Sequence, residues 1–191
     1  MTNWPELYLL RHGQSEWNAE GRIQGGLESR LTELGRRHAA AQRAILDSLD
    51  LRGFGGWCSP QVRARQTAEI ALAGTLADFT EDGRLREIGL GDWEGRLRDD
   101  LAPEFFGDES DETGVFVFDR APGGEGFAAL HARCLSFLTD LSRPAVVVTH
   151  GITSRMLRLI ALGMDLAELG DLPGGQGVVY HVRDGVHRKL G

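Results

Sequence analysis

The chain has 191 residues, 41% hydrophobic and 26% charged, enough for one domain with a full hydrophobic core. Its 28 acidic residues against 21 Lys and Arg leave a net charge of -7, which argues against nonspecific nucleic-acid binding, since that needs a basic face. Two cysteines, Cys58 and Cys134, are too few for a disulfide framework, and no apolar run is long enough to span a bilayer, so a cytoplasmic protein with packed free thiols is expected.

In chain order, Leu7 to Leu10 reads as a buried first strand that stops at Arg11-His12-Gly13. A polar loop follows through Gly25-Gly26, and Thr32 then stands as N-cap of a helix over about 33–49. Gly53 to Gly56 breaks the chain ahead of a short strand around Trp57-Cys58. Ser59-Pro60 begins a second helix, with proline at its first position, that runs to about Ala73. A weaker strand lies near 78–80, and the stretch 96–124, irregular and rich in acids and glycine, reads as an inserted cap. A helix over about 125–141 precedes Ala145 to Thr149, a β-branched run suited to the middle of a sheet. A helix over about 152–162 and a hairpin, 178–182 with 186–190, turned by Arg183-Asp184-Gly185, close the sequence. Strands separated by helices predict one α/β domain over 1–191: a three-layer sandwich with a mostly parallel central sheet, helices on both faces and an antiparallel edge hairpin.

Four motifs fall just past predicted strands or in adjoining loops, the edge of an open α/β sheet where ligands bind. Arg11-His12-Gly13 puts a cation beside an imidazole, a combination suited to anion chemistry, and the glycine is expected to permit a sharp turn and close approach of a ligand. In Ser59-Pro60-Gln61-Val62-Arg63-Ala64-Arg65-Gln66-Thr67-Ala68, Arg63 stands in the first turn of a helix, where the dipole favours anions and a guanidinium fork matches phosphate oxygens. Arg65 has the ordinary alternative of a solvated helix face. In Arg86-Glu87-Ile88-Gly89-Leu90-Gly91-Asp92-Trp93-Glu94-Gly95, Glu87 sits between apolar residues and glycines, a setting for a general acid. Trp93 reads as a packing anchor. Val147-Val148-Thr149-His150-Gly151 repeats the physics of the first motif. Singly, each has a structural explanation; together they define a site.

In this order, from Leu9 to Gly151 and the helix beyond, the motifs resemble the histidine phosphatase superfamily, also called the phosphoglycerate mutase-like family. The resemblance implies that His12 takes up a phosphoryl group, that Arg11, Arg63 and His150 complete a phosphate pocket, and that Glu87 donates the proton. Asn18 matches a position lining the same pocket, and Arg22 and Gln24 fall where relatives contact substrate. Pro122-Gly123-Gly124-Glu125 resembles the start of a helix that in family phosphatases often continues with serine, where this chain has Gly126.

The implied reaction is hydrolysis of a small phosphomonoester with no metal and no cofactor, because arginines supply the positive charge. A protonated His150 would add a third positive centre, and Glu87, ordinarily near pKa 4.3, would have to be raised. The partners expected are a small phosphorylated substrate, no nucleic acid and no membrane. The alternative is a cofactor-dependent phosphoglycerate mutase, which needs further cations for a second anionic group. The insert counts against it. Asp99, Asp100, Glu104, Asp108, Glu109, Asp111, Glu112 and Asp119 face only Arg96, Arg98 and Arg120, so an acidic lid is expected. Two other classes remain: a metal site made of His12, Glu87 and His150, disfavoured by adjacent arginines, and a phospholigand-binding protein without turnover.

Overall fold

Two apolar runs, Leu7–Arg11 (β1) and Ala145–Thr149 (β4), lie parallel at the middle of the sheet, every residue buried except Arg11, which is half-buried. The computed structural model describes residues 4–76, 78–101 and 114–191. After β1 come the short helix Glu16–Ala19 (α1), Glu33–Leu46 (α2), Gly55–Cys58 (β2), Val62–Ala71 (α3) and Phe79–Glu81 (β3). Gly126–Asp140 (α4), β4, Gly151–Leu162 (α5), Val179–Arg183 (β5) and Val186–Leu190 (β6) complete them.

The sheet order is β3-β2-β4-β1-β5-β6. The first four are mutually parallel, β5 runs antiparallel to β1, and β6 antiparallel to β5. Alternation of side chains divides the core in two. Leu7, Leu9, Ala145 and Val147 join Phe127, Leu130, Phe137, Met156 and Leu157 of α4 and α5 on one face. Tyr8, Leu10, Val146 and Val148 join Leu46 of α2 and Ala64, Ala68 and Ala71 of α3 on the other. The predicted sandwich is therefore the observed one.

Several boundaries differ from expectation, each for a local reason. Thr32 does cap α2, its hydroxyl accepting from Gly35 N–H at 3.0 Å, but the helix ends at Leu46 and tightens into turns bonded three residues apart through Leu49. Helix α3 starts at Val62 rather than Pro60, and Glu28 caps it from another loop by accepting the Val62 N–H at 2.8 Å. Gly55 and Gly56, expected to break the chain, belong to β2: a Cβ on Gly55 would overlap the Trp57 ring. Helix α4 takes its cap from Asp119, whose Oδ1 accepts the Phe127 N–H, in place of the hydroxyl that Gly126 lacks. The hairpin turns on two residues, Asp184 and Gly185, both with positive φ as such tight turns require. Helix α1 was not expected; Ser15 and Asn18 form its capping box.

Candidate active site

Sheet register creates the site. Arg11 pairs with Thr149 across β1 and β4, and Cys58 of β2 pairs with Val148, so the residues that follow, His12, His150 and Ser59, leave the same carboxyl edge side by side. The rails continue one step past the strands, with His12 N–H on Thr149 O and Ser59 N–H on Val148 O, both at 2.9 Å. The rings of His12 and His150 come to 5.1 Å between centroids. Beside them opens a cavity of about 350 Å³ lined by Arg11, His12, Asn18, Arg22, Gln24, Arg63 and Glu87, among others.

His12 is 3% exposed, and its Nδ1 lies 2.7 Å from the Gly13 carbonyl. A carbonyl only accepts, so Nδ1 carries the hydrogen and Nε2 keeps its lone pair. Burial, then the charges of Arg63 and Arg11, hold the His12 pKa well below its ordinary value. The ring is therefore neutral at physiological pH. His150 is wholly buried, and burial followed by Arg63 lowers its pKa in the same way. In the free site the ring is therefore uncharged, whereas the protonated His150 expected beside a phosphate ester belongs to the occupied site. Its Nε2 lies 2.8 Å from Ser59 Oγ, which also accepts the Gln61 N–H at 3.4 Å. With the Ser59 hydrogen donated to Nε2, His150 presents an uncharged N–H at Nδ1.

Arg63, 1% exposed, is fixed by Leu27 O at 2.8 Å and Gly25 O at 3.0 Å. Among the described residues, three buried polar atoms in this group have no partner: Arg11 Nε, Arg63 Nε and His150 Nδ1. Buried donors left unpaired around one cavity are what an anion would satisfy. Arg65 has the alternative role, pairing on the surface with Glu81 at 3.0 Å.

Glu87 lies against the start of α5. Its Oε1 accepts from Thr153 N–H at 3.1 Å and its Oε2 from Ile152 N–H at 3.2 Å, while Thr153 Oγ1, 3.0 Å from Oε1 and 2.7 Å from Arg86 O, has one hydrogen to share between them. Its own N–H donates to Gln61 Oε1 at 2.9 Å, while Gln61 Nε2 donates to Gly25 O at 3.0 Å. One buried amide thus ties the second and third motifs to the loop after β1. Thr149 and Thr153 hold the approach to Glu87, bonding Leu85 O and Arg86 O at 2.7 Å each. Trp93 is a packing anchor, 2% exposed within the core.

Gly13 has a different reason from the one expected. It does not adopt a left-handed conformation, and a Cβ there would overlap the Gly35 carbonyl of α2, so the glycine serves helix packing rather than a ligand. Arg22 reaches the cavity wall but is engaged by Glu20 at 2.7 Å and Gly95 O at 2.9 Å. The insert does border the cavity, because residues 96–98 run beside 21–23: Ile23 N–H bonds Arg96 O, and Arg98 N–H bonds Gly21 O. Among the insert's described residues, Arg98, Val115 and Phe118 line the cavity, and Asp99, Asp100 and Asp119 do not. Glu104, Asp108, Glu109, Asp111 and Glu112 lie outside the described residues. Arg155, also on the wall, escaped the sequence reading; it sits one turn after Gly151 on α5, a spacing that points it back to the strand edge. Among the described residues, no three His, Cys, Asp or Glu are grouped to hold a metal ion.

The sequence pattern of the histidine phosphatase superfamily (branch 1) matches residues 7–187. A Salmonella choleraesuis protein named as a phosphoglycerate mutase is 36% identical over 166 residues, 83% of this chain and 75% of its own length. Among solved structures, Bacillus stearothermophilus YhfR is 32% identical with a TM-score of 0.78, covering 96% of this chain and 94% of that one. A mycobacterial glucosyl-3-phosphoglycerate phosphatase in complex with VO3 is 30% identical with a TM-score of 0.79, over 97% and 96%. A Shigella flexneri alpha-ribazole phosphatase has a TM-score of 0.79 at 26% identity, over 97% and 95%. The match spans both His-Gly motifs, the Arg63 helix and the Glu87 loop that the fold brings to one edge: the chain belongs to the histidine phosphatase superfamily, branch 1.

Proposed function

We propose that this chain hydrolyses small phosphomonoesters through a phosphohistidine at His12, without a metal ion or cofactor, in the cytoplasm. One observation carries the reading. His12 is neutral, its Nδ1 is committed to Gly13, and Nε2 is the lone-pair nitrogen of a residue on the cavity wall between two arginine motifs.

The substrate phosphoryl group brings close to two negative charges. Arg11 and Arg63 offset them, and the His150 Nδ1–H, Asn18 and Gln24 supply further donors. Nε2 of His12 attacks phosphorus as the bond to the leaving oxygen breaks, and Glu87 gives that oxygen its proton. Glu87 then takes a proton from a water that attacks the phosphohistidine, releasing inorganic phosphate. The hydrogen bonds from Ile152 and Thr153 keep its carboxyl in place for both steps. The phosphatases among the relatives support this reaction class. Free, buried Cys58 and Cys134, the latter with its thiol pushed up to about 12 by burial, fit a reducing compartment.

A phosphoglycerate mutase is the second reading. The Salmonella relative's name favours it, as do Arg22, Arg98 and Arg155 on the cavity wall, which could meet a second anionic group. Ile88, Leu90, Val115, Phe118 and Ile152 on the same wall favour a leaving group with an apolar part. The deciding experiment measures phosphate release in EDTA from a panel of phosphomonoesters, alongside 3-phosphoglycerate with catalytic 2,3-bisphosphoglycerate. Release that survives EDTA and vanishes in His12→Ala supports the hydrolase. Isomerisation of 3-phosphoglycerate with little free phosphate makes the protein a mutase.

A further inference from the structure

We propose that Gln176 is a positioning residue that locks the Asn18 amide with its NH2 group turned to the cavity. The inference rests on the reading of that cavity as a phosphate pocket.

Side-chain amides can present either end, and the ends are told apart by their partners. Here backbone groups of fixed character decide. The Ser15 N–H only donates, and it lies 3.2 Å from one terminal atom of Asn18, which must be the oxygen. The His12 carbonyl only accepts, and it lies 3.2 Å from one terminal atom of Gln176, which must be the nitrogen. That nitrogen also lies 3.2 Å from Asn18 Oδ1. Both lone pairs of Asn18 Oδ1 are thus occupied, and Nδ2 is the end left for a ligand. A flipped Asn18 would set its NH2 against two donors and turn its oxygen toward an incoming phosphate. Ser15 treats Gln24 alike, its hydroxyl meeting Gln24 Oε1 at 3.0 Å.

Gln176 is itself held in place. It lies in the segment between the 3-10 turn Leu166–Asp171 and β5, and that segment is bonded at three successive carbonyls. Arg155 Nε donates to Leu172 O at 2.8 Å, Arg158 to Pro173 O at 2.8 Å, and Tyr180 Oη to Gly174 O at 2.6 Å. Arg158 is 1% exposed, stacks over the Tyr180 ring at 3.9 Å, and has no carboxylate partner among the described residues. A buried guanidinium whose partners are Ser154 O, Pro173 O and His187 Nε2 is a costly way to fix a loop, and it delivers Gln176 to the catalytic edge. Gly175 and Gly177, at φ +147° and +77°, supply the bends on either side.

The test is a double-mutant cycle of Gln176→Ala and Asn18→Ala on the full chain. It reads kcat/KM for p-nitrophenyl phosphate and the inhibition constant of inorganic phosphate, with Tm as a check on folding. Gln176→Met, which keeps the bulk and removes the donors, guards against a packing defect. Either substitution is expected to lower kcat/KM and weaken phosphate by about tenfold in the wild-type background. In the Asn18→Ala background the further loss should be under about twofold. Equal losses in both backgrounds, or no loss in an active enzyme, overturn the inference alone. A wild-type chain that neither turns over nor binds phosphate overturns the pocket reading and this inference together.

Discussion

At the scale of the residue, the chemistry depends on keeping an imidazole uncharged beside two guanidinium groups. His12 achieves this through burial and the repulsion of Arg63 and Arg11, so the cations that bind phosphate also preserve the nucleophile. Arg63 is the sharper test because its own partners are backbone carbonyls, which place its fork. Arg63→Ala is expected to lower kcat/KM by roughly 100-fold, about 3 kcal/mol of transition-state stabilisation. Arg63→Lys should restore little, since one ammonium cannot span Leu27 O, Gly25 O and a phosphate. Steady-state kinetics on the two variants checks both. These residues were readable because each follows a strand or opens a helix in a compact motif. Gln176, Arg155 and Arg98 were not, because Gln176 bonds His12 O and Asn18 from a glycine loop while Arg155 and Arg98 reach the cavity from a helix interior and an irregular stretch, none with a local signal.

At the scale of the element, the two strands deliver the histidines only if the loop after β1 seats tightly on α2. Gly13 and Gly35 make that contact backbone to backbone, and a Cβ on either would overlap the other segment. Gly13→Ala is expected to cost about 3 kcal/mol or more, read as a lowered urea midpoint with an unchanged slope. Activity should fall with it, as His12 is the preceding residue. A slope and midpoint like wild type would show that the loop and α2 have slack. Apolar periodicity and caps revealed most elements here, Thr32 and the β4 run most clearly. The strand over Gly55 and Gly56 was hidden because its glycines make room for Trp57, a tertiary reason that no local pattern expresses.

At the scale of the whole molecule, the site makes stability depend on pH. In the unfolded chain His12 and His150 take up protons as pH falls through about 6.5, whereas their folded pKa values lie well below that. Between the two the unfolded state binds more protons, so their contribution is full above about 6.5 and is lost as pH falls toward the folded values. Urea midpoints measured from pH 7.5 to 5 should decline in wild type and decline less in His150→Asn. Equal declines would mean that His150 titrates normally in the fold. The sandwich and its antiparallel edge were legible as alternating strands and helices. Which described residues of the insert line the cavity was not, because composition gives its acids without saying that Arg98, Val115 and Phe118 stand there.

The central claim is covalent transfer to His12. Rapid-quench labelling with a slowly turned-over phosphomonoester, followed by peptide mapping, tests it most directly. The account predicts an acid-labile phosphoryl group on the peptide carrying His12, formed and lost at rates matching turnover and absent in His12→Ala. Turnover at full rate with His12 unlabelled would contradict it.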